Sequence, residues 1–173
     1  MAEDIKFRHT MPVQIRFSDV DQFGHMNNSV YFSLYDLAKT TYIKDVLGSA
    51  DWSKLAIVVA NINANFFMPV FFSDHLVIET AVVHLGHKSF TLLQRAVTTD
   101  THEVKCECRT VMVGYDLATK EPKLISEDYK EAICRYEEKT LEELSKERKQ
   151  LLIFCVIDVL STICIMNKGV SHD

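Results

Sequence analysis

The order of two hydrophobic patterns along the chain most constrains its fold. Residues 29–47 carry apolar side chains at α-helical spacing, whereas from Leu55 onward apolar and polar residues alternate with the period of two typical of β-strands. A strand is predicted before the helix at residues 11–18, and four more at residues 57–67, 75–85, 88–99 and 103–115. Short connections favour antiparallel neighbours, so the sequence predicts an α+β fold with about five strands and one long helix.

The helix pattern has an unusually wide apolar surface. Two adjacent stripes follow it, Val30-Leu34-Leu37-Thr41 and Tyr31-Tyr35-Ala38-Tyr42. A surface of this width predicts a helix that is covered on most sides. Asn27 or Asn28 is a suitable N-cap, and Gly48 is a suitable residue to end the helix.

Composition excludes several classes of function. A net charge of −5 argues against binding to a nucleic acid backbone, and none of the five glycines has the spacing of a dinucleotide- or phosphate-binding loop. The five cysteines form no disulfide framework and the N-terminus has no apolar segment, which predicts a reduced chain in the cytoplasm. Cys106 and Cys108 share one face of a predicted strand, so we interpret them as core residues and predict no metal site.

Two further segments follow the strands. Residues 127–150 are rich in charge and predict a solvated helix. Residues 151–166 are almost wholly apolar, but these 16 residues include Asp158 and are fewer than the roughly 20 that a membrane-spanning helix needs. We expect this run to pack against the domain or a partner subunit, with a membrane helix or an unstructured extension as alternatives. The chain is thereby divided into a domain of residues 1–135 and an extension of residues 136–173.

Residues whose side chains could take part in catalysis lie between the first strand and the helix. The segment RFSDVDQFGHMNN, residues 16–28, places Asp19 and Asp21 two residues apart, before Gly24, His25 and the predicted helix start. A helix N-terminus offers unpaired N–H groups and a partial positive charge. A carboxylate beside such donors supplies the base or nucleophile, and the oxyanion stabilisation, that acyl transfer needs. The alternative is that the aspartates only form a turn and the asparagines only cap the helix.

This segment and several later motifs resemble a known family. The run R-F-S-D-V-D-Q-F-G-H-M-N-N-S-V-Y, with D-L-A-K following on the helix, is similar to the signature of hotdog-fold acyl-CoA thioesterases of the 4-hydroxybenzoyl-CoA thioesterase type. The later motifs are FFMP at residues 66–69, SD at 73–74, VHLGHKS at 83–89 and VMVGYD at 111–116. The resemblance covers about residues 11–134.

The resemblance implies a long helix wrapped by a curved antiparallel sheet. It also implies a homodimer or a dimer of dimers, with active sites at the subunit interface. Asp21 matches the catalytic aspartate, which attacks the thioester carbonyl or activates a water. Asn28 falls where a backbone N–H polarises that carbonyl. We interpret His25 as orienting the turn, with direct participation in catalysis as the alternative.

Other residues are expected to contact substrate or to pack. Substrate contacts are expected from Gly24, Asn27, Tyr31, Phe66, Lys88 and Ser89. Asp36 and Lys39 stand where many relatives carry Glu and Arg, and Ser73 stands where they carry Gly. His84 and His87 are expected at the surface, whereas core packing is expected for Tyr31, Phe66 and Phe67 unless they line a pantetheine channel.

The sequence therefore predicts an acyl-CoA thioesterase that releases CoA and a carboxylic acid without a metal or redox cofactor. Thioesters of acyl carrier protein are possible substrates because they carry the same pantetheine thiol. Two alternatives use the same fold. One is a domain that binds thioesters or a protein without turnover, and the other is an enzyme of the enoyl-CoA hydratase type.

Overall fold

A five-stranded antiparallel sheet lies at the centre of the computed structural model, which describes residues 5–48 and 56–146. The strands are β1 His9–Val13, β2 Ile57–Phe66, β3 Leu76–Leu85, β4 Ser89–Thr98 and β5 Val104–Gly114. The helices are α1 Asn28–Leu47, α2 Glu127–Glu137 and α3 Leu141–Lys146. In space the strands follow the order β1-β3-β4-β5-β2, so β2 crosses to the far edge. Bulges in the β2–β5, β3–β4 and β4–β5 pairings bend the sheet.

These elements confirm the α+β fold, and four of the five predicted strands agree with the structure within one residue. The first predicted strand, residues 11–18, is wrong at both ends, since β1 begins at His9 and ends at Val13. Alternation continues past Val13, but a one-turn 3-10 helix at Phe17–Asp19 replaces the strand. The Arg16 backbone N–H donates to the Asp19 carboxylate at 2.8 Å and stabilises this short helix.

Helix α1 is bounded as the sequence predicts. The Asn27 side chain caps its start, and Gly48, with φ of +71°, ends it. The stripe Tyr31-Tyr35-Ala38-Tyr42 is buried against the sheet. The expectation that α1 is covered on most sides is wrong for a single chain, because Leu37 on the Val30-Leu34-Leu37-Thr41 stripe is 54% exposed.

The core has two halves along α1. Near the helix start, Tyr31 and Tyr35 pack with Cys106 and Cys108, which are 0% and 1% exposed, as predicted for core cysteines. Near the helix end, Tyr42 and Ile43 lie in a second cluster. Its other members come from the strands and from both C-terminal helices, among them Val82, Leu85, Phe90, Met112, Ile133 and Leu144.

The C-terminal segment differs from the single solvated helix predicted over residues 127–150. Within its described part the helix breaks after Glu137, where Glu138 adopts a left-handed conformation with φ of +51°. Both resulting helices bury apolar side chains, including Ile133 and Leu144. The apolar run at residues 151–166 lies outside the described residues. No helix within residues 5–48 and 56–146 combines the length and apolar character needed to span a bilayer.

Glu137 is a buried carboxyl group that joins α2 to α1 and β3. Its Oε1 accepts hydrogen bonds from the Tyr42 hydroxyl at 2.5 Å and from the Val82 N–H at 2.8 Å. Burial nevertheless raises the pKa of Glu137 above its ordinary value of 4.5, because the charged form loses its hydration.

We expect Glu137→Gln to make stability less sensitive to pH. Because the folded-state pKa is raised, the free energy of unfolding of the wild type falls as pH rises from 4.5 through that pKa. Glutamine keeps the Oε1 acceptor but cannot ionise. In urea unfolding at about pH 5 and about pH 8, the free energy of unfolding should fall more between the two pH values for the wild type than for the variant. Exposed Glu131→Gln is the control, and an unchanged pH dependence in Glu137→Gln would contradict the assignment.

Candidate active site

Residues 21–28, here called the catalytic turn because the resemblance places the expected catalytic aspartate there, begin with a tight reversal of the backbone. The Asp21 N–H donates to the His25 carbonyl at 2.9 Å, and the Gly24 N–H donates to the Asp21 carbonyl at 3.0 Å. Gly24 has φ of +81°, a conformation that favours glycine because it has no Cβ. This reversal brings the chain from Asp21 directly to the start of α1.

Two more backbone hydrogen bonds anchor the turn to its surroundings. The Met26 N–H donates to the Val70 carbonyl, just before β3, at 2.8 Å, and the Asn27 N–H donates to the Asp19 carbonyl at 2.9 Å. Met26 and Val70 are buried at 4% and 0% exposure. The start of α1 is therefore fixed against the end of the sheet at which β3 begins.

Asp19 and Asp21 have different environments although only one residue separates them. Asp19 is buried, and hydrogen bonds from the Arg16 guanidinium, at 2.8 Å from Nη2 and 3.0 Å from Nε, hold the pKa of that carboxyl below its usual range. Its contacts make Asp19 a structural residue.

Asp21 is exposed, and its Oδ1 accepts from the Phe23 N–H at 2.8 Å and the His25 N–H at 3.4 Å. Its Oδ2 accepts no hydrogen bond from the described part of the chain. The turn thus orients one carboxylate oxygen and leaves the other available.

The first turn of α1 offers one available donor. The Asn27 side chain accepts from the Ser29 N–H at 2.9 Å, and the Asn27 carbonyl accepts from the Val30 N–H at 2.9 Å. The Asn28 N–H has no acceptor among residues 5–48 and 56–146. Because this donor lies at the positive end of a 20-residue helix, it can stabilise negative charge on a carbonyl oxygen.

His25 is half-buried, and its ring packs edge-on against Phe71, with ring centroids 5.2 Å apart. The buried Tyr31 ring contacts Phe66 at a centroid distance of 5.3 Å. The expectation of core packing is wrong for Phe66 and Phe67, which are 41% and 56% exposed, because they lie at the end of the edge strand β2.

Sequence reasoning missed two further exposed aromatic residues beside the catalytic turn. The Phe17 and Phe72 rings meet edge to face with centroids 6.3 Å apart, and they are 88% and 55% exposed. The aromatic pair at residues 71–72 was the available signal, since exposed large apolar side chains that cluster commonly mark a binding surface.

A single chain does not bring all the predicted site residues together. Lys88 and Ser89 lie at the hairpin between β3 and β4, whereas the catalytic turn lies where β3 begins. The ten residues of β3 therefore separate them by about 30 Å.

The predicted surface histidines behave differently from each other. His87 is exposed as expected, but the prediction is wrong for His84, which is 7% exposed. Its Nδ1 lies 2.9 Å from the Leu144 carbonyl, because α3 packs over the end of β3.

On α1, Asp36 and Lys39 form an ion pair at 2.5 Å.

Comparison with known proteins identifies relatives over most of this region. The thioesterase-like superfamily matches residues 15–133. The long-chain acyl-CoA thioesterase FadM of Escherichia coli (strain K12) is 26% identical over 124 residues, 70% of this chain and 93% of that protein. The uncharacterized protein YsmA of Bacillus subtilis (strain 168) is 30% identical over 80 residues, 46% of this chain and 54% of that protein, so the match spans about half of YsmA.

Solved structures share the arrangement of the sheet and helix. A thioesterase from Thermus thermophilus, complexed with coenzyme A and Zn, superposes with a TM-score of 0.70 at 26% identity, covering 78% of this chain and 98% of that one. A mutant 4-hydroxybenzoyl CoA thioesterase complexed with 4-hydroxybenzoyl CoA has a TM-score of 0.64 at 21% identity, covering 72% and 96%. The chain has the hotdog fold and belongs to the thioesterase-like superfamily.

Proposed function

We propose that this chain hydrolyses an acyl-CoA thioester to CoA and a carboxylic acid at the catalytic turn. The observation that supports this most directly is that one short loop carries two groups available for chemistry. The Asp21 carboxylate has one unoccupied oxygen, and seven residues later the Asn28 N–H has no acceptor within the described residues. The acyl-CoA substrate is inferred from the relatives, one named as an acyl-CoA thioesterase and another complexed with coenzyme A.

Each group has a defined part in the proposed reaction. The thioester oxygen accepts a hydrogen bond from the Asn28 N–H, and the α1 N-terminus stabilises the charge that develops on that oxygen. Asp21 either attacks the carbonyl carbon to form a mixed anhydride, which water then cleaves, or removes a proton from an attacking water. In both cases the C–S bond breaks and CoA leaves as a thiolate, which needs little help from a general acid.

The remaining predicted residues are proposed to support this reaction. Gly24 and Asn27 shape the catalytic turn, and the His25 ring holds its position against Phe71. Tyr31 and Phe66 form an aromatic wall beside it. A location in the cytoplasm and acyl carrier protein as a substrate stay predictions from the sequence.

We also propose that two chains pair along β2 to form a homodimer. β2 has ten residues, lies at the edge of the sheet, and exposes Val58, Val59, Ile62 and Phe66 by 39–44%. An apolar edge strand of this length is a template for pairing with another strand. The opposite edge, β1, has only five residues and includes Pro12, which cannot donate a hydrogen bond.

We expect Asp21→Asn to lower thioester turnover by at least about 10²-fold without unfolding the chain. Asparagine retains the Oδ1 acceptor for the Phe23 N–H, so the turn should keep its shape. Release of CoA from acyl-CoAs of varied length and ring content, followed with a thiol reagent, measures turnover, and circular dichroism monitors folding. Exposed Asp100→Asn is the matched control and should behave as the wild type.

Two outcomes of that assay would contradict the proposal. Undiminished turnover in Asp21→Asn would exclude the proposed role of the carboxylate. Hydration of crotonyl-CoA without release of CoA would instead identify an enzyme of the hydratase type.

The oligomeric state provides an independent test. Sedimentation equilibrium of the wild type should give about two or four times the 19.8 kDa of one chain, since symmetric pairing closes in even numbers. Dilution below the dissociation constant should lower activity along with the dimer fraction. A monomer with full activity would exclude the dimer proposal.

A further inference from the structure

The face of the sheet that points away from α1, here called the outer face, is apolar at one end. Leu93 lies on this face, because the next residue, Gln94, points the other way and donates to the Tyr35 carbonyl of α1 at 2.9 Å. The register places Ala81 of β3 and Arg109 of β5 on either side of Leu93. Toward the β3–β4 hairpin the outer face carries further small and apolar side chains, which with Ala81 and Leu93 form the outer apolar patch: Thr91, Val111 and Val113.

The centre of the outer apolar patch is fully buried. Leu93 and Ala81 are 0% and 1% exposed. Neither of them belongs to the two clusters of core residues that pack against α1. A side chain on the outer face loses all contact with water only when other atoms lie over that face. The outer apolar patch therefore needs a cover that is separate from the core.

Helix α3 leads the chain to the margin of this patch. His84, near the end of β3, lies on the outer face beside the patch, and its Nδ1 is 2.9 Å from the Leu144 carbonyl. The Ser145 hydroxyl donates to the Leu85 carbonyl at 3.2 Å, which holds α3 against the end of β3. Since α3 ends at Lys146, the residues that follow it start next to the outer apolar patch.

The sequence after α3 complements the patch in both polarity and charge. Residues 151–166 are apolar except for a few polar side chains and one charge, Asp158. At the inner border of the patch, the Nε of Arg109 lies 4.0 Å from a carboxylate oxygen of Glu107, and its five N–H donors leave room for a second carboxylate.

The distances allow Asp158 to reach Arg109. Arg109 is two strands and two residues away from His84, or about 12 Å. Twelve residues separate Lys146 from Asp158, and they span about 18 Å as a helix and more when extended.

We propose that residues 151–166 lie on the outer apolar patch of their own chain, with Asp158 beside Arg109. This inference goes beyond the proposed function and does not depend on thioester hydrolysis. It gives the C-terminal extension a role, which is to cover an apolar face that would otherwise bind another chain. The catalytic turn stays open, because it lies where β3 begins and α3 lies where β3 ends.

Cross-linking of the full chain tests this placement, because the apolar run contains two native cysteines, Cys155 and Cys164. Thr91→Cys adds a thiol in the outer apolar patch, and Val111→Cys replaces it if that variant does not fold. After treatment with a short bis-maleimide, tryptic peptides should show residue 91 linked to the peptide that contains both native cysteines. On a denaturing gel the linked product should have the mass of one chain.

Two further measurements complete the experiment. Asp100→Cys is the matched control, because this exposed residue follows the far end of β4, about 30 Å from the hairpin, and should not link to the run. In the wild type, N-ethylmaleimide should modify Cys155 and Cys164 at least about tenfold more slowly in buffer than in urea, because the cover buries them.

The alternative occupants of the patch give different results. A linked product with the mass of two chains would mean that the run covers the partner's patch, and it would overturn the placement within one chain. Equal linking in Asp100→Cys, or modification as fast in buffer as in urea, would overturn the docking itself. Sedimentation of the wild type with phosphatidylcholine vesicles would identify a bilayer as the site of the run and would also overturn it. Loss or retention of thioester turnover changes none of these outcomes.

Discussion

The proposed chemistry depends on the Asn28 N–H at the start of α1, which has no acceptor in the part of the chain that the structure describes. Every helix begins with N–H groups that lack partners within the helix, and most need an acceptor elsewhere. Asn27 satisfies two of them, through its side chain at Ser29 and through its carbonyl at Val30. The Asn28 N–H remains, and it belongs to a helix that two clusters of core residues hold against the sheet. A donor fixed in this way needs no reorganisation when charge develops on a carbonyl oxygen.

The two aspartates of the loop have different surroundings, and we propose a structural role for Asp19 and a chemical role for Asp21. Asp19 is buried and neutralised by Arg16, and its carbonyl also accepts the Asn27 N–H, so it holds the loop in place. Asp21 points outward, and two backbone N–H groups hold one of its oxygens. The same type of side chain is thus proposed to have two functions because its neighbours differ. The spacing alone left open whether both only formed a turn.

Sequence reasoning succeeded where short-range interactions determine the structure. Asn27, Gly48 and the bounds of α1 follow from capping and helical spacing, and the hairpin strands follow from alternation. Sequence reasoning failed where contacts between residues far apart in the sequence determine whether a side chain is buried. His84 is buried because α3 packs over it, and Phe66 is exposed because β2 crosses to the sheet edge. The sequence could predict the catalytic turn because its residues are contiguous, whereas a pocket lined by Lys39, Val59 and Leu117 joins residues from three parts of the chain.

The most direct test of the central claim is the carbonyl stretching frequency of a ¹³C-labelled thioester bound to Asp21→Asn. If the thioester oxygen accepts a hydrogen bond from the Asn28 N–H at the positive end of α1, infrared difference spectra should show this band below its frequency in water. A band at or above the aqueous frequency would mean that the helix does not polarise the carbonyl, which would contradict the proposed mechanism.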